Sequence, residues 1–168
     1  MTFTKKLNLL FLTITIVGVI LLAFSWYKGY EFDNNPLTQD IQKEITKKEY
    51  EIRRLIKENY NVNMNIPLIV TDKMNGKLFG MATFDTQTNI IRVFLNKKRF
   101  KESKDYMLND VMPHEYAHAL MFYFGDFSKQ NSGHTLQWEK VCKKLNGSRC
   151  DRFVNHDDIL IDKIKLSF

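Results

Sequence analysis

Polar and apolar positions divide the chain into one uniformly apolar stretch followed by segments of clear periodicity. Leu7 to Tyr27 carries no charged residue. At 1.5 Å per residue a helix of that length spans about 31 Å, the thickness of a bilayer core. Lys5 and Lys6 precede the stretch, and Trp26 and Tyr27 close it, where aromatic rings favour a membrane interface. A retained signal anchor is expected over residues 7–27, following a cytoplasmic residue 1–6 segment. The alternative is a cleaved signal peptide with Ala23-Phe24-Ser25 as its site, but the apolar run exceeds a signal peptide's usual core. More positive charge lies before the stretch than after it, where Lys28 is followed by Glu31 and Asp33. The positive-inside rule then places the rest of the chain on the extracytoplasmic side of a single-pass protein.

Residues 28–37 form a polar linker with turn chemistry at Asn34-Asn35-Pro36. With Thr38 as N-cap, Ile41, Ile45, Ile52, Leu55, Ile56 and Tyr60 fall on one face of a helix whose opposite face is charged. The charged run Lys47–Arg54 is expected to be solvated rather than a binding patch. Pro67 to Val70 reads as a strand, and Gly80–Phe84 with Ile90–Leu95 as a β-hairpin, with Met81, Phe84 and Phe94 in the core. A second helix is expected from a cap at Asn109 or Asp110 to Phe124, with Pro113 in its first turns, and a third from about Ser132 to Leu145. This order predicts an α+β domain with a small antiparallel sheet packed on helices, over residues 38–168.

Composition removes several classes. The 168 residues hold 13 Phe, 7 Tyr and 2 Trp, enough for one packed domain. The net charge is +6; from Lys28 onward 23 basic residues face 19 acidic ones, so nucleic acid is not expected as a partner. Two cysteines do not make a disulfide scaffold. Cys142 and Cys150 are close enough in sequence to bond if the domain is extracytoplasmic, and both would be reduced in a cytosol.

His114-Glu115-Tyr116-Ala117-His118 falls within the expected second helix. Histidines at i and i+4 share a helical face and can bind one metal ion, with the glutamate beside the first as general base. The plain alternative is a helix with two satisfied histidines and a surface glutamate. A tetrahedral zinc site of the catalytic kind needs a third protein ligand and an open position. His134 is expected to supply it from the start of the third helix, after Gly133, with Trp138 packing beside it. Asp126, Glu139 and His156 are its rivals.

VMPHEYAHAL, then SGHTLQWEKVCKKLNG, with the hairpin GKLFGMATFDTQTNIIRVFLNKKRF before them, resembles the SprT-like (Spartan-type) metalloprotease domain. The resemblance covers roughly Thr38 to His156. It implies a zincin-like fold, Zn²⁺ held by His114, His118 and His134, Glu115 as catalytic base, and a protein or peptide substrate. Members of that family that act on DNA-crosslinked proteins carry an added DNA-binding segment, which is not visible here. The expected function is a membrane-anchored zinc metallopeptidase. A crosslink-repair protease and a non-catalytic zinc-stabilised interaction module are the alternatives.

Overall fold

A computed structural model of the chain describes residues 2–151, without the side chains of residues 131 and 132. The chain forms two units, residues 1–37 and 38–168. The first is one helix, α1 (Phe3–Asn34). It is long and apolar enough to cross a membrane, with a mean hydropathy of 2.6 over its most apolar window. The helix runs beyond residues 7–27 and takes up most of the expected linker. Residues Glu31–Asn34 continue its hydrogen bonding, and the chain leaves the helix at Asn35, which is extended. The turn chemistry at Asn-Asn-Pro thus acts as a helix stop, since the residue before proline avoids helical geometry.

The second unit opens with α2 (Gln39–Tyr60), capped by the Thr38 hydroxyl and ended by Asn61 in left-handed geometry. Ile45, Ile52 and Ile56 are buried along its inner face. The charged run on this helix is only partly solvated. Arg53 and Glu49 pair at 2.6 Å, Arg53 also donates to the Ile66 carbonyl, and Glu49 accepts from the Tyr116 hydroxyl at 3.1 Å. These half-buried charges tie α2 to the helix that carries the histidines.

Three strands follow: β1 (Leu68–Thr71), β2 (Gly80–Asp85) and β3 (Ile90–Asn96), in the order β1-β3-β2. The hairpin β2–β3 is antiparallel as expected, with Ala82 opposite Val93. The sheet as a whole is mixed, because β1 lies parallel to β3. The connection from β1 crosses to the far edge of the sheet instead of turning back. Buried Asn96 fixes that crossing, its Nδ2 donating to the carbonyls of Asn75 and Leu78. Alternation along the strands places Gly80 and Ala82 opposite Leu95 and Val93. Val93 and Leu95 are fully buried, whereas Met81, on the other face with Phe94, is 41% exposed and not core. Phe84 and Phe94 are half-buried.

The second helix begins earlier than expected. Ser103 caps a short helical turn, α3 (Lys104–Tyr106), which passes through a π-helical turn (Met107–Val111) into α4 (Met112–Tyr123). Asn109 and Asp110 are therefore internal. Pro113 explains the wide turn: in a regular α-helix its ring would crowd the Asn109 carbonyl, and it has no N–H to offer it. That carbonyl accepts from the backbone N–H and hydroxyl of Ser148 instead, and Asp110 accepts from the same hydroxyl at 2.8 Å. α4 is buried nearly all round and packs against β2, β3, α2 and the final helix. That helix, α5 (Leu136–Lys144), is capped by Thr135 and begins four residues later than the sequence suggests. The preceding 3₁₀ turn (Gln130–Gly133) takes up the difference. Cys142 of α5 and Cys150 beyond it are disulfide-bonded, Cα to Cα 5.8 Å, with Gly147 folded between them. A Cβ on Gly147 would lie 2.7 Å from the Cys142 sulfur.

Candidate metal centre

Two histidines come from α4. His114 and His118 lie one turn apart on one face, ring centroids 5.0 Å apart. The third comes from the return of the chain. Gly125 takes φ +77° and ends α4, its N–H bonding the Phe122 carbonyl while the Asp126 N–H bonds that of Met121. Gly133, at φ +81°, then lies against the His118 ring, where a Cβ would meet Cε1 and Nδ1 at 3.4 Å. Left-handed geometry and close approach both favour glycine there. The next residue, His134, places its Nε2 3.0 Å from that of His114 and 3.3 Å from that of His118. Ligand nitrogens about 2.05 Å from a tetrahedral metal stand about 3.3 Å apart. The three rings thus already converge as one ion requires, and they form the group able to hold a metal among the described residues.

Trp138 frames the group. Its ring stacks on His118 at 26° and meets His114 and His134 nearly edge-on, with centroids 4.5–5.0 Å apart. It is buried, and its Nε1 has no hydrogen-bond partner among the described residues. Packing against three imidazoles outweighs satisfaction of one donor, a cost of about 1–3 kcal/mol. Burial and the neighbouring histidines hold His114 at a pKa of about 3, and burial with His134 does the same for His118. Both rings are therefore neutral at physiological pH and can offer a lone pair without first losing a proton.

Glu115 is buried beside this group. Desolvation pushes its carboxyl up to about 8, with the backbone N–H of Ala82 pulling the other way. β2 reaches it because residue 80 is glycine: a Cβ there would sit 2.7 Å from Glu115 Cγ and 2.9 Å from Val111 Cγ1. Just before β2, the Phe79 carbonyl accepts from the Asn96 N–H of β3, so alternation turns the backbone groups of Gly80, Ala82 and Phe84 away from β3, towards the edge that no described strand covers. The carboxylate is thus held at the open edge of the sheet.

The rivals are engaged elsewhere. Asp126 accepts from the Ser128 N–H in a local turn, and Glu139 pairs with Lys143 on α5. His156 lies outside the described residues. Sequence reasoning missed Gly80 as the contact that seats Glu115, and Ser148 as the partner of the π turn. A glycine at the head of a strand was the visible signal for the first; nothing local signalled the second.

The chain belongs to the SprT-like family, whose model matches residues 36–158. No curated protein and no solved structure matches it. The matched region contains the three histidines and Glu115, and the family supports a metalloprotease-like domain.

Proposed function

We propose that this member of the SprT-like family is a zinc metallopeptidase anchored in a membrane by α1, which hydrolyses peptide bonds with Glu115 as general base. The observation that carries the reading is the convergence of His114, His118 and His134 at 3.0–3.3 Å with a buried carboxylate next to them. An all-imidazole set suits zinc and other borderline metals; zinc is the ion of tetrahedral sites that keep one position open. Bound zinc supplies a Lewis acid for the scissile carbonyl and lowers the pKa of a water at its open position.

The protein's own groups supply the rest. His114, His118 and His134 hold the ion without first releasing protons. Burial keeps the Glu115 carboxyl protonated near neutral pH in the metal-free protein; a divalent ion held by the histidines would lower its pKa, leaving the carboxylate to accept a proton and return it to the leaving amine. The outward backbone groups of Gly80 and Phe84 receive an extended substrate as an added strand, drawing the scissile bond past Glu115. Two features favour an extracytoplasmic catalytic domain: Lys5 and Lys6 ahead of α1, and the Cys142–Cys150 disulfide, which persists in oxidising compartments.

The test is full-length protein in detergent, wild type against Glu115→Gln, by metal analysis and peptide cleavage. The variant should keep its zinc and lose about 10²–10⁴-fold in rate. Loss of zinc with activity would make Glu115 a ligand; an undiminished rate would remove the enzyme reading. Protease added to intact cells should digest residues beyond Lys28, and full protection would reverse the orientation.

A further inference from the structure

We propose that Phe84, Phe122 and Phe127 form the subsite that selects a large apolar side chain flanking the bond cleaved; the proposal rests on the peptidase reading above. The three rings come from different elements and meet beside the metal centre. Phe127 packs on Phe84 at 4.9 Å between centroids and stacks on Phe122 at 5.8 Å and 13°.

Each ring is placed by the elements that build the site. Phe122 lies four residues after His118, on the same face of α4 and one turn along. Phe84 lies two residues after Ala82, on the same face of β2, and the Ala82 N–H faces Glu115. Helix and strand therefore both run from the reacting groups to the aromatic stack. Phe127 arrives from the loop that delivers His134. Gly125 reverses the chain, Asp126 fixes the following turn through the Ser128 N–H, and the Ser128 carbonyl lies against Gly133, which touches His118.

The stack is incompletely covered. Phe84 and Phe122 are half-buried, but Phe127 remains 49% exposed on a short polar loop. A peptide added along the edge of β2 alternates its side chains, and one of them falls over Phe84. An aromatic or long aliphatic side chain there would cover Phe127 and complete the cluster. Hydrophobic pockets of this kind discriminate about 10–200-fold between side chains differing by a methylene or more. The substrate class is therefore an extended polypeptide bearing Phe, Tyr, Leu or Met at one position flanking the scissile bond.

The experiment uses full-length, zinc-loaded protein in detergent on a mixture of soluble peptides randomised around one position, with cleavage sites read by mass spectrometry. Wild type should cut beside large apolar residues at least 10-fold more efficiently than beside Ala, Ser or Asp. Phe127→Ala and Phe84→Ala should lower kcat/KM for the apolar peptides about 10-fold or more. Cleavage of an Ala-containing peptide should fall by less than that of the apolar peptides, zinc content should stay within about twofold, and Phe127→Leu should retain most of the preference. Cleavage without apolar preference, or a preference unchanged in both alanine variants, overturns the subsite while leaving the peptidase standing. No cleavage of any peptide by the wild type overturns the peptidase reading and the subsite with it.

Discussion

Gly80→Ala adds one methyl group at the point where β2 meets the carboxylate of Glu115, the proposed base. The new Cβ would lie 2.7 Å from Glu115 Cγ, 2.9 Å from Val111 Cγ1 and 3.0 Å from Glu115 Oε1. Ordinary carbon contacts begin near 3.5 Å, so β2 and α4 must part by roughly 1 Å or Glu115 must change rotamer. Both neighbours are buried, so little free space absorbs the change, and overpacking of this kind costs about 1–3 kcal/mol. Misplacing a reacting group by about 1 Å costs on the order of 10²-fold in rate. The three atoms nearest the methyl belong to Glu115 and Val111 and not to a histidine, so zinc affinity should stay within about threefold. The assay combines kcat/KM on a fluorogenic peptide, zinc titration and thermal melting, with Gly76→Ala as control, since a Cβ there meets nothing within 4 Å. Wild-type rate and melting temperature in Gly80→Ala would refute the close approach. Rate and zinc lost together would refute the separation of base from ligands.

Metal-free protein should carry opposite pH dependences from its two kinds of buried group. The carboxyl of Glu115 is raised from 4.5 to about 8, so its contribution is fully present below pH 4.5 and is lost as pH rises towards 8, by up to about 4–5 kcal/mol. In chelator, Glu115→Gln should therefore gain stability over wild type across that window, and a wild-type-to-variant difference that stays the same at pH 5 and pH 8 would refute the shift. His114 and His118, lowered to about 3, act in the other sense, and stability should fall as pH drops from 6.5 towards 3 in wild type and variant alike. Ser148→Ala removes the hydroxyl from Asp110 and weakens the support of the Asn109 carbonyl; it should cost about 1–2 kcal/mol by chemical denaturation, and an unchanged midpoint would show that the π turn needs no outside partner.

What the sequence disclosed follows how local each signal was. His114, Glu115 and His118 share one helical turn and needed no knowledge of the fold. His134 was reachable because a three-ligand site leaves a gap that few residues can fill, and Gly133 marks a close approach. The hairpin was legible from its β-branched second strand and polar turn. The parallel pairing of β1 was not, because its determinant is Asn96, whose partners lie 18 and 21 residues away. The early start of the second helix was hidden by Pro113, normally a sign of a first turn, here accommodated by a π turn whose carbonyl bonds to Ser148, 39 residues on. The charged face of α2 reads as solvated until Tyr116 and Ile66 are seen beside Glu49 and Arg53.

The three histidines stand on supports of unequal rigidity. His114 and His118 belong to a helix enclosed on nearly every side. Amides at the centre of such a helix exchange with solvent through opening of the whole domain. His134 sits on the return segment between a 3₁₀ turn and α5, next to a glycine in left-handed geometry. Ion capture and ion release therefore follow different routes from folding. If zinc binds as proposed, the fixed pair would receive the ion and the loop would close on it, so lifting of His134 is the expected first step of its loss. Hydrogen exchange with and without zinc would report this directly. Protection gained around residues 125–135 would be local and immediate, while the centre of α4 would slow only as zinc raises the stability of the entire domain by mass action.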